Sequence, residues 1–288
     1  MRLLTDPAAV RARARAARAE GGVVGLVPTM GALHAGHLSL VDRARADCDL
    51  VVVSVFVNPL QFGPGEDYEA YPRDLDADAR LLAAHGADLL FAPEAATFTP
   101  SDAATTVSVA GLGERLEGAS RPGHFDGVAT IVTKLLAVVE PDRAYFGEKD
   151  YQQLCVIRRL VADLALSPEV VAGPIVRDVD GLALSSRNAY LSAVEREQAL
   201  ALPRALANVA AAWDGDADAA RSRLASALEA AEGVRCDYAE IADPDALAPL
   251  RGRVGGPARA LAAVWVGAPD APTRLIDNVA LPAITAAG

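Results

Sequence analysis

The sequence predicts a two-part α/β protein, a Rossmann-like, doubly wound parallel sheet followed by a smaller α+β domain. Three observations carry this. Up to residue 177, apolar runs of strand length alternate with helical patterns, the form taken by a parallel sheet covered on both faces. The strongest run, DLVVVSVFVNP at 49–59, is β-branched and nearly unbroken until Asn-Pro stops it. From residue 178 the character changes to long Ala-rich stretches and then three strand-like runs. The expected domains are therefore residues 1–177 and 178–288.

In order, the first half predicts a strand at 22–29, ending in Pro-Thr, and a helix at 37–47 with Leu38, Val41 and Ala44 on one stripe. The strand at 49–59 follows, then a helix at 74–86 with a Gly stop and a strand at 87–93. A loop rich in Gly and Arg occupies 111–127. A helix at 127–139, a strand at 143–150, a helix at 152–164 and a strand at 170–177 complete the alternation. Beyond it, helices are expected within 194–232, and strands at 236–244, 258–269 and 273–281 form a partly antiparallel sheet.

A formal net charge of −11 argues against a nucleic-acid partner, which needs a basic face, but allows one small anion in a local pocket. The three cysteines, Cys48, Cys155 and Cys236, lack CxxC spacing, so neither a disulfide framework nor a structural zinc site is expected. No apolar run reaches 18 residues, no secretory h-region opens the chain, and a cytoplasmic protein without membrane contact is expected. Arg11, Arg13, Arg15 and Arg18 read as a solvated helix face. Arginine supplies every basic residue except Lys134 and Lys149, which hints that a compact ammonium is needed at one of them.

Four motifs carry chemistry. PTMGALHAGH at 28–37 sits where a parallel strand hands over to a helix, at the sheet edge where such folds bind ligands. Gly31 and Gly36 let backbone approach a ligand, the helix start favours an anion, and His34 and His37 point at the same group. Two surface histidines on a turn are the plain alternative; a zinc site fails because HxxH supplies only two ligands, and His85 and His124 lie in unrelated segments. GEKD at 147–150 brings Lys149 to the same edge, where it can neutralise charge on phosphate oxygens. LSSRN at 184–188 offers two hydroxyls and a guanidinium to a polyphosphate, although capping serines on a turn would look alike. NPLQFG at 58–63, SRPGHF at 120–125 and Gln153 supply amides (Asn58, Gln61, Gln153) for a polar substrate, with Arg121 and His124 able to pair with a carboxylate or phosphate.

HAGH with LSSRN resembles the paired signatures of the HxGH nucleotidyltransferase superfamily. The wider set PTMGALHAGH, VFVNPLQFG, YPRDLDAD, SRPGHFDGV, FGEKDYQQL and LSSRNAYLS is similar to one family, pantoate–β-alanine ligase (pantothenate synthetase), in its order and approximate spacing. The match is dense over 22–192; further on, only the length and the ending near TRLIDN agree. The resemblance implies ATP-dependent condensation of pantoate with β-alanine through a pantoyl adenylate, releasing pyrophosphate and AMP, with Mg2+ accompanying ATP and no tightly bound organic cofactor. It also implies a homodimer.

Carried over by resemblance, Met30, Gly31, Ala32, Leu33, His34, Ala35, Gly36 and His37 line the ATP site, with His37 the foremost catalytic group. His34, Lys149, Ser186 and Arg187 act beside it. Gly147, Glu148, Asp150, the backbone near Val176, Leu184 and Ser185 complete the nucleotide site. Gln61 and Gln153 hold pantoate, with Asn58, Arg121 and His124 nearby. The family usually has Met where this chain has Leu184, a volume-conserving exchange. Asp76 and Asp78 fall where metal contact is conceivable, but Ala77 interrupts the run and the metal ligands stay unassigned. Two other readings compete: a nucleotidyltransferase acting on a phosphate acceptor, which would not need NPLQFG with Gln61 and Gln153, and a non-reacting nucleotide-binding regulator, which would not need two His, a Lys and the Ser-Ser-Arg loop together.

Overall fold

The computed structural model describes residues 1–268, 270 and 272–284. In chain order the elements are β1 (Arg2–Leu4), α1 (Pro7–Ala19), β2 (Val24–Thr29), α2 (Ala35–Asp47), β3 (Leu50–Val55), α3 (Leu75–Ala84), β4 (Leu89–Phe91), α4 (Ala95–Phe98), α5 (Glu117–Ser120), α6 (His124–Val139), β5 (Arg143–Gly147), α7 (Tyr151–Asp163) and β6 (Glu169–Gly173). After them come α8 (Ala193–Ala199), α9 (Ala201–Ala211), α10 (Ala217–Glu229), β7 (Val234–Ala242), β8 (Ala258–Val266) and β9 (Thr273–Leu281). The chain divides into two units: residues 1–148 with 152–175, and residues 149–151 with 176–288.

The first unit is the expected doubly wound fold. Its six strands run in the order β1-β4-β3-β2-β5-β6, and every adjacent pair is parallel. The chain winds outward from β2 through β3 to β4, then returns to build β5 and β6 on the other side of β2. The order thus reverses between β2 and β5, and ligands of such sheets bind beyond the carboxyl ends of the strands at that reversal. Central strands are apolar on both faces: Val51, Val52 and Val53 are fully buried. β1 is absent from the sequence reading because three residues give no periodicity to read; it pairs parallel with β4.

The N-terminal arginines are not simply a solvated face. Arg15 and Arg18 reach Glu140 at 2.7 and 3.0 Å, and Arg18 also donates to the carbonyls of Val139 and Glu140. Those carbonyls end α6, where Glu140 adopts a left-handed φ of 49°. The guanidinium groups therefore satisfy the acceptors that a helix C-terminus leaves unpaired.

In the second unit β7-β8-β9 form a sheet that is antiparallel throughout, where a partly antiparallel one was expected. α9 and α10 cover it through Leu202, Leu206, Leu224 and Leu228, which meet Ala260, Ala262, Val264 and Leu275 in one buried cluster. Small side chains on β8 let the helices approach closely, which is where the alanine-rich composition goes.

Candidate active site

β2 ends at Thr29, at the reversal of strand order. Thr29 Oγ1 donates to the Ser54 carbonyl of β3 at 2.7 Å and accepts from the Gly31 amide at 3.2 Å. The turn then needs two left-handed residues, Gly31 (φ 84°) and Ala32 (φ 50°). A Cβ on Gly31 would stand 2.8 Å from Asp78 Oδ2, so glycine is required there for space as well as conformation. Asp78, in the first turn of α3, is buried, and both its oxygens are used: Oδ2 accepts from Ala32 N at 3.0 Å and Oδ1 from Leu33 N at 2.9 Å. Burial pushes its carboxyl pKa up, against the two amides that favour the charge.

α2 starts two residues earlier than the hydrophobic stripe suggested, with His34 as its N-cap. His34 Nδ1 accepts from Gly36 N at 3.2 Å, and His37 Nδ1 accepts from His34 N at 3.4 Å. The two imidazoles make the reciprocal cap usually built from Ser or Thr and Glu, and the rings lie 4.0 Å apart. Since each Nδ1 accepts, a neutral ring carries its proton on Nε2. The result is two Nε2–H donors beside a helix N-terminus.

Gln61 is fixed from four sides. Asn58 Nδ2 donates to Gln61 Oε1 at 3.0 Å and to the Gly127 carbonyl at 3.1 Å, while Gln61 Nε2 lies 3.2 Å from Met30 Sδ. The Gln61 carbonyl accepts from His124 Nδ1 at 2.8 Å and from Arg121 at 3.3 Å. Gly127 makes this possible: a Cβ there would stand 2.2 Å from the Leu60 carbonyl oxygen. His124 Nε2 accepts from Arg121 at 3.2 Å, and burial together with the neighbouring guanidinium pushes the His124 pKa down to about 4. Arg121 itself is engaged by Glu66, with Nε–Oε1 at 2.8 Å. Although burial opposes its charge, the Arg121 pairing leaves the Glu66 carboxyl below its ordinary range. Arg121 thus holds Glu66, and Arg121 and His124 together hold the Gln61 backbone, contacts the sequence did not suggest.

Gly147 ends β5, the neighbour of β2, and Glu148 opens the 3-10 turn that follows. Gln153 is half-buried in the first turn of α7. Its neighbour Gln152, not singled out from sequence, is buried and binds the 111–117 loop, donating to the Leu112 and Arg115 carbonyls at 2.7 Å each and accepting from Glu117 N at 3.0 Å.

The remaining candidates belong to the second unit. Lys149 Nζ stands 3.5 Å from Asp150. Val176 and Leu184 face each other across a short strand pair, with Leu184 N donating to the Val176 carbonyl at 3.0 Å. Ser185 caps a 3-10 turn over Ser186–Tyr190, accepting from Arg187 N, so it does serve as a capping serine. Asn188 Nδ2 binds the Ala183 carbonyl at 3.0 Å. Among the described residues no group of three or more His, Cys, Asp or Glu could hold a metal ion.

Across residues 2–280, the chain matches the family model for pantoate-beta-alanine ligase. It belongs to that family. The pantothenate synthetase of Rhizorhabdus wittichii is 55% identical over 266 residues, 92% of this chain and 93% of that one. The crystal structure of pantothenate synthetase from Thermus thermophilus matches with a TM-score of 0.87 at 51% identity, covering 97% of this chain and 99% of the other. The Francisella tularensis pantoate-beta-alanine ligase, complexed with beta-gamma ATP and beta-alanine, matches at 0.78 and 33%, covering 97% of each chain.

As a pantoate–β-alanine ligase, the chain is an enzyme that joins an acid to an amine. The family match also covers the C-terminal unit, where the sequence resemblance rested on length and TRLIDN alone. Both Asp78 oxygens hold backbone amides of the HAGH turn. No described helix is long and apolar enough to cross a membrane.

Proposed function

We propose that this ligase works by adenylation. The pantoate carboxylate attacks the α-phosphorus of ATP and pyrophosphate leaves; the β-alanine amine then attacks the acyl carbon and AMP leaves, giving pantothenate. A carboxylate oxygen is a poor leaving group, and its transfer to phosphate makes it a good one. Met30 to His37 bind the nucleotide, with Gly147, Glu148, Lys149, Asp150, Val176 and Leu184 to Arg187 completing its site. Mg2+ arrives with the ATP phosphates. Gln61, beside Met30, binds pantoate together with Gln153. Asn58, Arg121 and His124 set the position of Gln61.

The observation that carries this reading is the histidine cap. Two imidazoles 4.0 Å apart stand at the N-terminus of α2, beyond the strand-order reversal, where Nε2–H groups and the helix dipole would stabilise charge on phosphate oxygens. Lys149, Ser186 and Arg187 add charge and hydrogen bonds to the same phosphates. A bound ATP analogue in the Francisella tularensis relative supports ATP as the co-substrate. The family resemblance further supports a cytoplasmic homodimer, which light scattering tests directly.

The deciding assay is isotope exchange between pyrophosphate and ATP. Exchange with pantoate alone, and pantothenate only after β-alanine is added, is the expected pattern. Exchange that stays at background until β-alanine is present would overturn the adenylate route.

A further inference from the structure

Along β9, burial alternates with period two until Asp277 and Asn278, which are both buried. A polar pair inside a sheet is costly unless every group is matched, and here the partners are specific. Asp277 holds Arg177 in a two-pronged pair at 2.6 and 3.0 Å. Arg177 also donates to the Gly181 carbonyl at 3.2 Å and bridges to Ala183. Asp277 therefore fixes the base of the strand pair that leads into Ser185, Ser186 and Arg187.

Asn278 works in the other direction. Its Oδ1 accepts from Arg259 Nε at 2.8 Å, and a second Arg259 nitrogen reaches the same oxygen. Its Nδ2 donates to the Lys149 carbonyl at 3.0 Å. Arg259 stands on β8 diagonally from Asn278, since Leu261 is the residue directly opposite. The Arg259 guanidinium carbon stands over the Tyr151 ring, 3.8 Å from its centre. Two contacts thus hold the 149–151 turn: one on the Lys149 backbone, one on the Tyr151 face.

We propose that Asp277 and Asn278 are positioning residues for the ligase reaction, registering the Lys149 turn and the Ser185–Arg187 turn on one dipeptide of β9. This rests on the reading above, in which Lys149, Ser186 and Arg187 act on ATP. Neither residue need touch substrate: each acts through the group it holds.

Asn278→Asp separates this role from mere stability. It keeps the oxygen that Arg259 binds and sets an oxygen against the Lys149 carbonyl, removing that one bond. Loss of one such bond should slow ATP–pyrophosphate exchange by about tenfold with the pantoate KM nearly unchanged; the melting temperature falls as well, because a buried oxygen then faces the Lys149 carbonyl, and a double-mutant cycle separates the two effects. In a Lys149→Ala background the same substitution should cost less than about twofold, because the group it positions has gone. Asp277→Asn should behave the same way against Arg187→Ala and remain costly against Lys149→Ala. Because Asn278→Asp leaves the Arg259 acceptor in place, all four proteins of the cycle are assayed below the lowest of their melting temperatures, where each is folded. Full additivity of Asn278→Asp with Lys149→Ala, or exchange at the unsubstituted rate, overturns the proposal. If Lys149→Ala alone leaves exchange intact, the assignment of Lys149 to the reaction fails first and the positioning role falls with it.

Discussion

Asp78→Asn is the sharpest test of how the HAGH turn is held. The substitution keeps the volume but exchanges one carboxylate oxygen for an NH2 group. In the native site the two oxygens accept from Ala32 and Leu33 amides at 3.0 and 2.9 Å. Asn can satisfy one of these and must set a donor against the other. A hydrogen bond to a charged group contributes about 1.5–3 kcal/mol, and a stranded buried donor costs ~1–3 kcal/mol. Burial acts in the opposite sense: it already raises the carboxyl pKa, so a neutral amide recovers part of the desolvation cost. A net loss of about 2 kcal/mol results. Ala32 is held in a left-handed conformation that costs about 1–2 kcal/mol, so the released turn relaxes. If half the loss falls on the turn, the ATP KM rises by up to about fivefold, because only the ordered fraction binds. Urea unfolding measures the first quantity and exchange kinetics at varied ATP the second. The Mg2+ dependence should not move. Unchanged stability combined with a weaker response to Mg2+ would refute the argument and make Asp78 a metal ligand.

Three further outcomes are expected. His37→Ala should slow adenylation roughly 10²–10³-fold, the usual loss for one preorganised donor, while costing about 1 kcal/mol or less from the cap; a rate within threefold of the parent enzyme would remove His37 from the chemistry. Gly127→Ala drives a methyl against the Leu60 carbonyl and should destabilise by about 1–3 kcal/mol while raising the pantoate KM more than the ATP KM; equal effects on both would show that Gln61 is not the residue disturbed. His124 has its folded pKa depressed to about 4 from 6.5, so its contribution is complete above pH 6.5 and fades as the unfolded chain takes up the proton first. Between pH 7 and 5 this removes about 2 kcal/mol, and His124→Gln should lose that part of the pH dependence. Parallel stability curves for the two proteins would contradict it.

Legibility differed between parts of the molecule for physical reasons. Strands buried on both faces, such as 50–55, announce themselves by composition alone, whereas β1 was invisible because it is three residues long and its burial comes from a neighbour. The groups proposed above to contact ligand, His34, His37, Lys149 and Gln61, are readable as residue types at a strand end. The residues that hold them were not. Asp78 lies one turn before Leu82 on the buried side of α3, so an acid on an apolar stripe was the available signal. Arg121 and His124 are legible as polar groups, but their partners Glu66 and Gln61 lie 55 and 63 residues away in sequence, a pairing that no local pattern encodes. Gln152 and Gln153 stand side by side with the same side chain, and only the helix phase decides which one faces the 111–117 loop.

The histidine cap has a consequence for how this sequence can drift. On the proposed reading the same two rings begin a helix through Nδ1 and present donors through Nε2, so selection on folding and selection on chemistry fall on the same two side chains. Asparagine at position 34 could imitate the Nδ1 acceptor and keep the helix start, but it would place nothing where Nε2–H now stands. On that reading such a variant would fold and lose part of its reactivity, and its survival or loss in a selected population would show which of the two constraints is the stricter.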